Sequence, residues 1–227
     1  MIPLRDDNPV ANTPYITYAL ILSCVIVFLY QLTLDARGSQ VFIYSFGVIP
    51  AVLFDYVELR GGAVAVPAFA TIFTSMFLHG GVMHLLGNML YMWIFADNVE
   101  DDLGPRRFIV FYLVCGIAAA LAQALFEPRS QVPMIGASGA VSGVLGAYLV
   151  MHPRAHVEGV VPPFLHLIRL PAVVVLGLWF GLQLLSSLSA KPGEPGIAFA
   201  AHLGGFVAGA ALILLFRPGA SRRIRRR

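Results

Sequence analysis

Apolar residues run along this chain in six blocks, at about 15–34, 82–96, 107–126, 138–151, 168–188 and 197–216, separated by polar or Pro/Gly-rich stretches. A helix needs about 20 apolar residues to cross a bilayer. The pattern therefore predicts an all-α, polytopic membrane protein, a six-transmembrane-helix bundle forming one domain over 1–227. There is no repeat of convincing period and no second domain. The first block follows MIPLRDDNPVANTP, which is acidic as well as basic and offers no small-residue cleavage site. It reads as a retained membrane helix, not a signal peptide. The linker 35–68 mixes apolar residues with ELRGG and reads as a structured loop. The fourth block, Ser138 to Met151, is short. At 1.5 Å per residue it covers roughly 21 Å, against a hydrocarbon core of about 30 Å. Ser138, at its outer end, should then lie below the membrane surface. Irregular backbone at that depth, here VPMIGA, is tolerated only inside protein or beside a wet cavity.

Composition agrees with lipid as the main solvent. Hydrophobic residues make up 58% and charged residues 12%, with mean hydropathy +0.80; a soluble domain carries about 25% charged residues. The net charge of +3 does not point to nucleic acid, because the basic residues gather at one end of the chain. Cys24 and Cys115 sit inside apolar blocks and read as small buried hydrophobes. With the N-terminus inside, 11 of the 15 Lys and Arg residues fall on the inner side and 4 outside. The positive-inside rule then puts both termini in the cytoplasm. The terminal SRRIRRR reads as a topology anchor that can also rest on anionic lipid.

By this topology three polar clusters lie in the outer half of the membrane. They are Gly136-Ala137-Ser138-Gly139, His79 to Asn88, and Ala201-His202-Leu-Gly-Gly205 with Gly209. A serine hydroxyl needs an adjacent base to become a nucleophile, and a developing oxyanion needs preorganised donors. Ser138 as nucleophile, His202 as base, and His84 and Asn88 as donors fill those roles. His84 and Asn88 are i and i+4 and share a helix face. Taken singly, each has a blander reading, since Ser, His and Asn in membrane helices also bond helices together. The conjunction on one side of the membrane favours catalysis. Gly139-x3-Gly143 and Gly205-x3-Gly209 are small-x3-small faces that let blocks four and six approach closely, as a Ser138–His202 hydrogen bond requires.

GASG, His84-x3-Asn88 and AHLGG followed by GFxxG resemble, in that order and over about 70–216, the rhomboid family of intramembrane serine proteases. The resemblance implies a Ser138–His202 dyad that cleaves transmembrane segments of other proteins in a cavity open to the extracytoplasmic side. It implies an oxyanion hole of His84, Asn88 and the Ser138 backbone N–H, and a supporting His79 near the mouth of the site. Gly136 and Gly205 would support the site. No cofactor and no metal is implied; the partners are membrane-protein substrates and the lipid bilayer. Some relatives have an aromatic residue four positions after the nucleophile, packed on the base. Here Ser142 stands there, a hydrogen-bond partner or small packing residue facing His202. The Trp-Arg pair in the first loop of many relatives is absent, with Arg60 as a substitute. Block five and the loop SLSAKPGEPG are the expected gate and cap. The retained first span and basic tail suggest a prokaryotic plasma membrane.

Rival chemistries fit poorly. The one lysine, Lys191, lies in a loop, there is no HExxH, and Asp97 has no evident carboxylate mate. His152 and His156 lie in a Pro-bounded cytoplasmic loop and are not expected to hold a metal. No inverted repeat suggests a transporter. The alternative from another class is a pseudoprotease that binds membrane clients. Such relatives typically lack the Ser or the His, and both are present here.

Overall fold

The computed structural model describes residues 1–59, 65–161, 166–189 and 198–217, with side chains of the fifth block described to Leu185. The order is β1 (Ile2–Asp6), α1 (Tyr15–Thr33), α2 (Ala36–Phe46), α3 (Pro50–Leu53), α4 (Thr71–Thr74), α5 (Val82–Leu103), α6 (Pro105–Phe126), α7 (Ser138–Met151), β2 (His156–Val161), β3 (His166–Pro171), α8 (Ala172–Ser189) and α9 (Phe199–Phe216). Among the described residues, α1, α6 and α9 are long and apolar enough to cross a membrane. The 68–77 helical stretch and α5, bent by 81° at a short break, form a further candidate, and α7 and α8 are shorter apolar helices. The apolar side chains that α1, α8 and α9 turn outward, such as Leu22, Leu182 and Leu215, give the bundle a greasy exterior. The chain is a predominantly helical integral membrane protein.

The centre is a three-helix contact of α6, α7 and α9 built on small residues. A Cβ added at Gly139 would lie 2.6 Å from the Ala119 Cβ, and one at Gly143 would lie 2.7 Å from the Cys115 Sγ. Cβ atoms at Gly205 and Gly209 would strike the carbonyl oxygens of Gly139 and Gly143. The constant offset between these last pairs means that α7 and α9 run parallel. Both helices therefore begin at the same end of the bundle, which brings Ser138 and His202 to one place. Bulkier residues along either glycine row would hold the backbones apart.

The other end is tied by polar contacts. The Glu100 carboxylate, 2% exposed, accepts from Ile16 N (2.9 Å), Thr17 N (2.8 Å) and Thr17 Oγ1 (2.8 Å), capping the first turn of α1. Tyr148 donates to Asp6, and Arg107 donates to the Phe216 carbonyl. Here the structure departs from an all-helical reading. β1, β2 and β3 form an antiparallel sheet with Ile2 opposite Val160 and His156 opposite Pro171. Residues 168–171, expected to open the fifth span, belong to β3, and α8 begins at Ala172. Pro171 lacks the N–H an α-helix interior needs, so the apolar run breaks there. α5 continues past the expected end to Leu103, and α6 starts at Pro105, a good first helical residue.

Candidate active site

The described part of the linker after α1, with the helical turns that follow it, holds the approach to Ser138. Val48 and Met134 exchange backbone hydrogen bonds, Ala51 N donates to the Ser130 carbonyl, and Gly136 N donates to the Ser75 carbonyl at 2.8 Å. Gly136 has φ +123°, and a Cβ there would lie 2.7 Å from His84 Nε2. Glycine is thus required twice over, for the backbone angle and for the approach of the imidazole. Two residues later α7 begins at Ser138, whose helix-first-turn N–H has no intrahelical acceptor.

His202 Nε2 and Ser138 Oγ stand 2.8 Å apart, and His202 is 8% exposed. Across from them on α5, His84 Nδ1 accepts from Gly80 N at 3.3 Å. A neutral imidazole accepting at Nδ1 carries its proton on Nε2, the atom beside Gly136. Asn88 is 7% exposed, and its Nδ2 has no hydrogen-bond partner among the described residues. Two N–H donors thus point toward the start of α7 with no other task. A cavity of about 740 Å³ opens over these groups, lined by His84, Asn88, Ser138, Ser142 and His202 together with residues of α6 and α8.

The other expected site residues lie nearby with different partners. His79 is 1% exposed, packs edge-on against the His84 ring (centroids 5.2 Å apart) and lies behind it, not on the cavity wall. Gln31 holds the His79 backbone from both sides, at 3.1 Å each. Ser142 donates its hydroxyl to the Ser138 carbonyl of its own helix at 2.6 Å and is not bonded to His202. Gly205 is spent on the α7 contact. Arg60, Lys191 and most of SLSAKPGEPG, the expected cap, lie outside the described residues.

Two residues at the site were not anticipated. Trp179 on α8 lies over the His202 ring, with centroids 6.1 Å apart and planes at 35°. One turn on, Gln183 Oε1 is 3.1 Å from His202 Nδ1. The aromatic neighbour of the base thus comes from α8, not from α7. The signal was present: Gln183 is the one polar side chain in the run Ala172–Leu185, and Trp179 stands four residues before it.

Fold and site together define a polytopic membrane protein with a serine–histidine pair lining an open cavity. Residues 67–219 match the Rhomboid domain, and the chain belongs to the rhomboid family. It is similar to the rhomboid protease GluP of Bacillus subtilis, 30% identical over 196 residues (78% of this chain, 36% of GluP). It is also similar to RHOMBOID-like protein 4 of Arabidopsis thaliana, 35% identical over 146 residues (62% of this chain, 33% of that protein). Inactive rhomboid protein 1 of Bos taurus is 30% identical over 151 residues, 66% of this chain and 16% of that protein. The matched part is about a third or less of the length of each of these relatives.

Proposed function

We propose that this chain is an intramembrane serine endopeptidase that cleaves transmembrane segments of other membrane proteins. The observation that carries the reading is the 2.8 Å contact between His202 Nε2 and Ser138 Oγ beside a cavity that is also lined by Asn88, whose Nδ2 has no partner among the described residues. In this mechanism His202 Nε2 takes the hydroxyl proton as Oγ attacks the scissile carbonyl carbon. The tetrahedral oxyanion is met by His84 Nε2–H, Asn88 Nδ2–H and the Ser138 N–H. The imidazolium then protonates the leaving amine, and water, activated by the same imidazole, frees the acyl-enzyme. No metal or cofactor enters any step. The substrate must unwind locally, since a regular helix hides its carbonyls; small residues, Gly or Pro near the cut favour this. On this reading one domain of six spans has both termini in the cytoplasm, in a prokaryotic plasma membrane, and the cavity opens to the other side. His79 supports His84 from behind.

Reactivity of Ser138 toward a fluorophosphonate tests the chemistry without a protein substrate. Intact-mass analysis in detergent should find one adduct, on Ser138, and none in Ser138→Ala or His202→Ala. An unreactive wild type, or an adduct that survives His202→Ala at the same rate, would count against the dyad. The similarity to an inactive rhomboid protein gives the alternative its one foothold. In that case the chain would bind membrane clients without cutting them.

A further inference from the structure

The base of a serine dyad must present a bare Nε2 to the hydroxyl, which requires the ring proton on Nδ1 and something to hold it there. Ser142 does not supply this, because its hydroxyl is bonded within α7. From α8, Gln183 Oε1 reaches Nδ1 at 3.1 Å. A carbonyl oxygen only accepts, so the contact puts the proton on Nδ1 and leaves Nε2 free to accept from Ser138. The opposite orientation of the amide would put an N–H against Nδ1, move the ring proton to Nε2 and leave the serine facing a donor. Resting on the protease reading, we propose that Gln183 is the positioning residue of the base. It fixes the tautomer and the angle of His202, while Trp179 covers the ring face.

The helix that carries Gln183 is held on one side only. Trp179 and Phe180 pack on Phe206 (centroids 5.9 and 4.7 Å away), whereas Leu178 and Leu182 are both 63% exposed. Cβ atoms at Gly177 and Gly181 would meet nothing within 4 Å. The Gln183–His202 hydrogen bond therefore makes the state of the base depend on α8 being docked against α9.

Three variants separate positioning from packing. Gln183→Leu keeps the bulk and removes the acceptor. Gln183→Asn keeps the amide but is one methylene too short. Gln183→Glu keeps both length and an acceptor, ionised or not. Gln183→Leu and Gln183→Asn should lower kcat about tenfold with KM little changed, as for one lost hydrogen bond, and slow fluorophosphonate labelling alike. Gln183→Glu should recover most of that loss. Thermal melting checks that all three fold. Ring ¹⁵N NMR of labelled histidine, with His202→Ala for assignment, should show Nδ1 protonated in wild type and a mixed tautomer in Gln183→Leu. An unchanged tautomer and rate in Gln183→Leu, or a Gln183→Glu as slow as Gln183→Leu, would overturn the proposal. A wild type without serine reactivity would refute the protease reading instead, and the NMR measurement would still decide the role of Gln183.

Discussion

Replacing Gly209 by alanine should both destabilise the bundle and disable the site from a distance. The added Cβ would lie 2.6 Å from the Gly143 Cα and closer still to its carbonyl oxygen. These are backbone atoms and cannot rotate away. Restoring a normal contact of about 3.5 Å requires α7 and α9 to part by on the order of 1 Å. Overpacking of this kind costs about 1–3 kcal/mol, against a gain of about 1 kcal/mol from alanine's helix propensity; a clash with backbone lies at the upper end of the range, so a net loss of about 2 kcal/mol is expected. Gly209 lies two turns beyond His202, about 10 Å along the axis, and stiff helices carry the separation to the site. Parting the 2.8 Å Ser138–His202 contact by a large fraction of an ångström leaves hydrogen-bond range, and activity should fall about 100-fold. Gly181→Ala is the control, since its Cβ meets nothing within 4 Å. Thermal unfolding in detergent and the rate of Ser138 labelling read the two effects. If Gly209→Ala melts at or above Gly181→Ala and labels at the wild-type rate, the close-packing argument is wrong.

Other substitutions probe separate parts of the account. Asn88→Ala should lower kcat by about 10²–10³-fold with KM nearly unchanged, the cost of one oxyanion donor; a change confined to KM would assign Asn88 to substrate binding. Glu100→Ala leaves the first turn of α1, with its buried Thr17, without its acceptor and should cost about 2–3 kcal/mol, read as a lower melting temperature with labelling of Ser138 retained at low temperature. At the sheet end, the His156 backbone N–H, together with Arg169, holds the Asp7 carboxyl below the ordinary carboxylate range. Its contribution is complete above that range and is lost as pH falls through the lowered folded value. Burial raises the neighbouring Asp6, which acts in the opposite sense. The comparison is therefore wild type against Asp7→Asn: the melting temperature of the wild type should fall more steeply on strong acidification, and parallel curves would dismiss the Asp7 tie.

What could be read from the sequence was whatever one residue type at one spacing decides. The start of α7 at Ser138, the glycine rows at 139/143 and 205/209 and the His84–Asn88 face are local patterns, and the fold places them as those spacings require. The strands were missed because β2 and β3 hide in a run whose hydrophobicity continues into α8, and β1 pairs with a segment more than 150 residues away; only Pro171 marked the boundary. Gln183 was missed for a related reason. A single polar residue in an apolar helix shows that a partner exists but not which one, and the partner, His202, lies on another helix. The resemblance turns Ser142 toward His202 because it stands four residues after Ser138, yet the helix offers its hydroxyl a nearer acceptor at the i−4 carbonyl.

On the proposed function, Ser138 and His202 cut membrane-spanning protein. The most direct measurement reconstitutes wild type, Ser138→Ala and His202→Ala in liposomes with a single-span test substrate carrying Gly or Pro in its outer half, and weighs the products by mass spectrometry. Wild type should make a single cut within or beside the span, and the substrate should stay intact with either variant. Cleavage that persists in Ser138→Ala, or a wild type that holds the substrate without cutting it, would contradict it.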